Sequence, residues 1–455
     1  MSSLLLAGFG QREITPDHPV PLAGFDLRKG PSEGVHDPLF VRALLLTAGG
    51  ESVLLLEADL LGTSDYLCDR IRNRVREALA GDLDLKDKDI QIGAIHTHAA
   101  PQSVFRAFDC YEDDYLDTIA ELAAEAARDA RADLHLVRAG LTEDTVEEVG
   151  CFRDSSRAES LFAMPVRQLW LLGEAGESPM VAVLFCCHPT VLNEQNRLIS
   201  RDLLWGAEES LKKRMSLEGS PMPRVLWMNG ACADISTRYT RRESTFEEAR
   251  RLGSRMAESL RKPEEAELTG NVTLKTEELM LRVPPARFFT KEERREILAY
   301  LEEKIEACPD AAQKREYIAC RSVLQRPHYG EGQGTLARLS LLEMEFGQEK
   351  GSRQTSQNLT QKTAQMLTQQ TVQKLALVGV PFEYAQKDAV RLSGRIAIET
   401  GKNAWIRCYA GGYEGYLPSG KPLTRDSGYE DMASGYASEA KELLAAAVLD
   451  ALKGM

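Results

Sequence analysis

Ile90-Gln91-Ile92-Gly93-Ala94-Ile95-His96-Thr97-His98 is the stretch on which the reading of this chain turns. It is short, apolar and rich in isoleucine, the pattern of a buried strand over 90–95 that runs directly into two histidines. Residues i and i+2 of a strand face the same side, so His96 and His98 are expected to converge on one point. A second run, 180–187, is continuously apolar and stops at His188-Pro189. In open α/β sheets, binding sites gather at strand C-termini. Of the seven histidines, at 18, 36, 96, 98, 135, 188 and 328, three sit at such ends. Neutral imidazole suits zinc, which takes nitrogen and oxygen donors in a roughly tetrahedral shell. A lone histidine after a strand is more often a hydrogen-bonded turn residue; the second strand end favours the metal.

Outward from these runs, strands alternate with helical patterns. Strands are expected over 42–47 and 52–59, turned at Gly49-Gly50-Glu51, and a helix over 64–79, where Leu67, Ile71, Val75 and Leu79 recur every four residues. Further helices are expected over 115–130, 203–215, 246–261 and 437–452, and strands over 224–228, 337–346 and 375–380. Two regions break the rhythm. Residues 291–325 read as a helical pair turned at Cys308-Pro309-Asp310, and a Gln/Thr/Ser-rich stretch follows the strand at 337–346. The expected fold class is α/β, with mixed β-sheets flanked by helices. Residues 1–455 are read as one catalytic domain, decorated by a helical insertion at about 290–326 and a polar low-complexity loop at about 348–374.

Composition narrows the function. The chain has 455 residues, 43% of them hydrophobic and 27% charged, which suits a globular protein with a large core. A formal net charge of -13 disfavours nucleic acid and anionic membranes as partners. No run approaches the roughly 20 apolar residues of a membrane span, and no secretion signal is visible at the start. Nine cysteines without a CxxC pair suggest reduced thiols, and a cytoplasmic location is expected. The oligomeric state is left open.

The wording of the histidine segments goes further. His96-Thr97-His98-Ala99-Ala100-Pro101 resembles the His-Thr-His-Ser-Gly-Pro segment of the neutral/alkaline, non-lysosomal ceramidases. So does His188-Pro189-Thr190, followed by Asn196-Arg197-Leu198-Ile199-Ser200 and by Asp202, Trp205 and Gly206. Glu13-Ile14-Thr15-Pro16, the stretch 21–25 and the stretch 36–42 are similar to that family's opening. The likeness runs over about 8–240 and again over about 375–436, in family order.

That resemblance implies a zinc-dependent hydrolase of an amide (N-acyl) or related ester bond, with one Zn2+ per chain. It implies His96, His188, Glu383 and Tyr416 as metal ligands, and His98, Asp234 and Ser236 as catalytic residues. Gly24, Arg153 and Tyr429 are implied to bind substrate. Such a ligand set leaves room for a water whose pKa zinc lowers to about 7; that water is the expected nucleophile, with direct attack by Ser236 as the other reading. His98 is the expected proton donor to the leaving amine. Read locally, Asp234 and Ser236 form a turn after a strand.

The chain departs from the family pattern at Ala99 and Ala100, at Phe382 before the metal carboxylate, and at Thr237 after the serine. A counterpart of the C-terminal immunoglobulin-like domain of the secreted ceramidases is not expected from the residues after the Tyr429 segment. A smaller soluble amide or ester is therefore as fitting a substrate as a lipid-like one. Two rivals remain: a zinc amidohydrolase of the His-x-His barrel class, which needs two further histidines where only His328 follows His188, and a non-catalytic binding protein on the same scaffold.

Overall fold

Phe40–Ala48 has side chains buried on both faces. Val41, Ala43 and Leu45 pack against helices, while Leu44, Leu46 and Ala48 point the other way, into a second apolar layer. Glu51–Ala58 and Met180–Phe185 divide their residues in the same manner. Strands covered on both sides read as continuous apolar runs rather than as alternating ones. This burial explains why they stand out in the sequence.

The computed structural model describes residues 3–104, 113–153, 162–326, 329, 334–347 and 373–455. An eight-stranded sheet has the order Arg224–Asn229, Met180–Phe185, Met164–Gly173, His135–Val146, Leu6–Glu13, Phe40–Ala48, Glu51–Ala58 and Ile90–Ala94. A five-stranded sheet runs Ser3–Leu4, Asn271–Val283, Thr335–Phe346, Gln373–Gly379 and Asn403–Arg407. The inner faces meet through Leu44, Leu55, Leu171 and Met228 on one side and Leu274, Met344, Leu377 and Trp405 on the other. Helices Asp65–Leu79, Asp113–Ala132, Leu203–Glu218 and Phe246–Glu258 cover the outside of the first sheet; Gln386–Thr400 and Ala440–Gly454 cover the second. The result is a four-layer stack with mixed sheets and helices outside, the expected fold class.

Three pairings within the two sheets are parallel, and each is made by a strand–helix–strand crossover: 51–58 with 90–94, 180–185 with 224–229, and 373–379 with 403–407. The other pairings in these sheets are antiparallel. This topology removes the barrel rival, which requires eight parallel strands each followed by a helix. His328 lies outside the described residues, as does nearly all of the polar loop expected at 348–374.

The two edge strands of the large sheet meet at their C-terminal ends. Asn229 Nδ2 donates to Ile95 O (3.1 Å) and to Cys187 O (3.2 Å). The segment after Asn403–Arg407 bonds to both edges: Cys408 N to Asn229 O (2.9 Å), Ala94 N to Tyr409 O (3.1 Å) and Gly411 N to Ile92 O (2.8 Å). Edges that would otherwise lie open are thereby closed. Every one of the three crossovers delivers its strand end to this seam.

Helices Lys291–Ala307 and Ala311–Gln325 lie between Asn271–Val283 and Thr335–Phe346, started by the Thr290–Glu293 capping box and the Asp310 cap. They bury Ile297, Leu301, Val323 and Leu324 around Met432, with Tyr429 packed at the edge. Arg326, just past the second helix, pairs with Asp26 (2.8 Å). Among the described residues, no helix is long and apolar enough to cross a membrane.

Candidate metal centre

The strand expected to carry the first histidines ends at Ala94, and the one expected to reach Cys187 ends at Phe185. His96 and His98 therefore do not converge by strand alternation. His96 sits in the left-handed region at φ 69°, unusual for any residue but glycine. Its N–H donates to Leu60 O (2.9 Å), its Nδ1 donates to Leu61 O (2.7 Å), and its ring stacks on Tyr409 at 4.0 Å. Tyr409 itself has φ 55°. Backbone strain on two facing rings is typical of functional sites.

The Nδ1 bond fixes the tautomer of His96 and leaves the Nε2 lone pair directed inward. His188 is held likewise, its Nδ1 donating to Cys232 O (2.8 Å) and Ile235 O (3.0 Å). Both Nε2 atoms approach one carboxylate oxygen: Glu383 Oε2 is 3.0 Å from His188 and 3.7 Å from His96. A tetrahedral zinc with bonds of about 2.1 Å sets its ligand atoms roughly 3.4 Å apart, and these separations bracket that edge. His98 Nε2 lies 3.3 Å from His96 Nε2, and the ring nitrogens of His96, His98 and His188 fall within 4.8 Å of one another. These three histidines form a group able to hold a metal ion.

Charge favours a cation here. Burial pushes His96 down to about 3, with His188 adding to the effect and Glu383 opposing it. Burial and the neighbouring imidazoles also push His98 well below the ordinary histidine value. Burial would raise Glu383, but His96, His188 and the Tyr413 hydroxyl outweigh it and bring the carboxyl down to about 2. At neutral pH the pocket therefore holds neutral His96 and His98 beside an ionised carboxylate. With His96 and His188 each 1% exposed and Glu383 2% exposed, water screens little of that charge.

Tyr416 is tied to Glu383 by a backbone bridge, and its hydroxyl accepts from Arg153 Nη1 (3.1 Å). Arg153 also donates to Ala233 O (2.8 Å), pairs with Glu430 (3.7 Å) and lies 5.7 Å from the Tyr429 ring centroid. The rings of Tyr416 and Tyr429 meet edge-on at 5.5 Å. Gly24, at φ 94°, leaves no room for a Cβ, which would collide with the His98 ring. Ser236 bridges to His188 through the backbone, and its Oγ accepts from Arg238 N (3.3 Å). Asp234 Oδ1 accepts from Gln386 N (2.7 Å). Asp234 O also accepts from Arg153 N (2.9 Å), so the ten nominated positions lie in one neighbourhood of the fold.

Several neighbours of these residues were not nominated from the sequence. Tyr413 donates to Glu383 Oε1 (2.6 Å), Tyr409 stacks on His96, and Glu430 pairs with Arg153. The repeat Gly412-Tyr413-Glu414-Gly415-Tyr416 offered the one usable signal, two tyrosines three residues apart.

No protein-family model and no curated protein sequence matches the chain. Among solved structures, it resembles the neutral ceramidase from Pseudomonas aeruginosa with a TM-score of 0.69 at 15% identity, over 99% of this chain and 74% of that one. It is equally similar to a ceramidase complexed with C2, with a TM-score of 0.70 at 14% identity, over 99% of this chain and 75% of that one. By its architecture, this chain has the neutral ceramidase fold.

Proposed function

We propose that this chain is a metal-dependent hydrolase of an amide (N-acyl) bond or a related ester, with one zinc ion held by His96, His188, Glu383 and Tyr416. The observation that carries the proposal is the approach of two tautomer-fixed imidazoles to one buried carboxylate oxygen, at 3.0 and 3.7 Å. Two nitrogens and an anionic oxygen are a donor set that zinc accepts readily. When bound, zinc would supply a nucleophilic water at neutral pH and polarise the scissile carbonyl.

The protein's own residues would do the rest. Leu61, Cys232 and Ile235 carbonyls keep the imidazoles turned inward. His98, neutral and 3.3 Å from His96 at its Nε2, would take up the proton released by the attacking water and pass it to the leaving amine. Arg153 and Tyr429 offer N–H and O–H donors to the carbonyl oxygen as charge builds on it. Ser236 is the weaker nucleophile candidate: its Oγ accepts from Arg238 N, and no imidazole lies within hydrogen-bond distance of it among the described residues. Asp234 and Ser236 serve here to orient His188 and its neighbouring turn. Both a lipid-like and a smaller soluble amide or ester fit this chemistry. We propose a single catalytic domain that includes the helical insertion.

Zinc content of the purified protein, an anomalous-scattering map around His96, and hydrolysis of a panel of N-acyl and ester substrates test the reading together. Wild type should carry about one zinc per chain and cleave at least one N-acyl substrate, while Glu383→Ala and Tyr416→Phe lose both. Full zinc with no turnover on any substrate would leave a binding protein on this scaffold.

A further inference from the structure

We propose that Tyr413 is a positioning residue that restricts Glu383 to binding the metal through one oxygen, which keeps a coordination place open for solvent. The inference rests on the metal-centre reading above and adds a cause for its open position. A carboxylate has two oxygens and can grip a cation with both. Here Oε2 faces His188 and His96, while Oε1 accepts the Tyr413 hydroxyl at 2.6 Å.

The ring that carries this hydroxyl has little freedom. It packs with Ala23, Leu61 and Val104, and lies nearly parallel to Tyr409 and His96, at 6.3 and 6.1 Å between centroids. A Cβ on Gly62 would come within 2.8 Å of it, so the wall behind is closed except for a glycine. Glu414 N donates to Pro381 O (2.6 Å) and Glu383 N to Gly415 O (2.8 Å), so the strap holding Tyr413 is bonded to the strand end holding Glu383. Hydroxyl and carboxylate are thus fixed to each other on both sides. Partners of this kind fix ligand orientation, and their loss typically costs 10–100-fold in metal affinity.

Tyr413→Phe removes one oxygen and keeps the ring. Zinc affinity measured by competition with a chelating dye should fall roughly 10–100-fold. In the cobalt-substituted protein, the visible d–d absorption should weaken as Oε1 joins the metal and the coordination number rises. Val104→Ala loosens the same ring without touching the hydroxyl and should leave affinity and spectrum near wild type. Equal effects from the two variants, or a Tyr413→Phe protein with wild-type affinity and spectrum, would overturn the proposal. Glu383→Gln separates the levels: if it loses zinc while Tyr413→Phe does not, only the Tyr413 assignment fails. If Glu383→Gln binds zinc as tightly as wild type, the metal-centre reading fails and takes this inference with it.

Discussion

His96 combines a left-handed backbone, a fixed tautomer and near-complete burial, and each of these has a measurable consequence. Its folded value of about 3 lies far below the ordinary 6.5. Between those limits the unfolded chain binds a proton that the folded chain refuses, so stability contributed by a neutral His96 is lost as pH falls below 6.5. The limiting slope is about 1.4 kcal/mol per pH unit. Asparagine tolerates the left-handed region and does not titrate. In metal-free protein, denaturant midpoints of wild type should therefore fall relative to His96→Asn between pH 6.5 and 5; parallel curves would refute the buried neutral imidazole. At Gly24 the consequence is positional. Gly24→Ala places a methyl group against the His98 ring in a backbone region that alanine disfavours by about 1–2 kcal/mol. With His98 displaced from the centre, kcat on a cleaved substrate should drop about 100-fold while bound zinc persists. His96 and His188 were legible because each follows an apolar run. Glu383 and Tyr416 were legible only through the family likeness, since a buried glutamate or tyrosine carries no local mark. Tyr413 was not legible, because its role is a contact made across a turn and visible only once Glu383 is placed.

Elements declared themselves in proportion to how completely they are buried. Phe40–Ala48, Glu51–Ala58 and Met180–Phe185 lie between layers and read as apolar runs within a residue or two of their observed ends. Asn271–Val283 was passed over because half of it faces outward and reads Lys275-Thr276-Glu277-Glu278. Leu6–Glu13 was passed over for the opposite reason: its glycines look like a loop. They are instead the seat of a helix. A Cβ at Gly10 would collide with Ala126 O and one at Gly8 with Ala130 O, so the backbone of Asp113–Ala132 rests directly on the strand. The helix answers with Ala123, Ala126, Ala127 and Ala130 along that face. Gly10→Val should lift the helix and destabilise the fold by about 1–3 kcal/mol or more. Gly50→Val, at a turn where a Cβ meets nothing within 4 Å, bears the strain of φ 88° but no collision. Urea midpoints of the two variants should therefore differ, with Gly10→Val the lower; equal midpoints would mean the seat is not tight.

At the scale of the whole molecule, the proposed ligands come from both sheets: His96 and His188 follow strands of the larger one, and Glu383 follows a strand of the smaller. The seam they share already has a buried cross-tie. Arg407, fully buried, donates to Glu57 Oε1 (2.6 Å) and Leu56 O (2.8 Å), passing Gly93, where a Cβ would lie 2.6 Å from Nη2. Arg407→Met strands the Glu57 carboxyl and should cost about 3–5 kcal/mol in chemical denaturation. A metal at the centre would be a second tie, and its effect follows from linkage. An ion that binds the folded chain alone stabilises it by about 2.7 kcal/mol at one hundred times its dissociation constant and by about 4.1 at one thousand times. The sequence could not reveal this arrangement, because four segments far apart in the chain reach the seam only through the three crossovers. The unfolding free energy of wild type should therefore climb with the logarithm of free zinc, and chelation should abolish the climb. In Glu383→Gln, which keeps both imidazoles and loses the smaller sheet's anionic contact, the line should be much flatter. An equal climb in that variant would mean that the histidines of the larger sheet hold the ion without help from the other, and the tie between the sheets would rest on Arg407 alone.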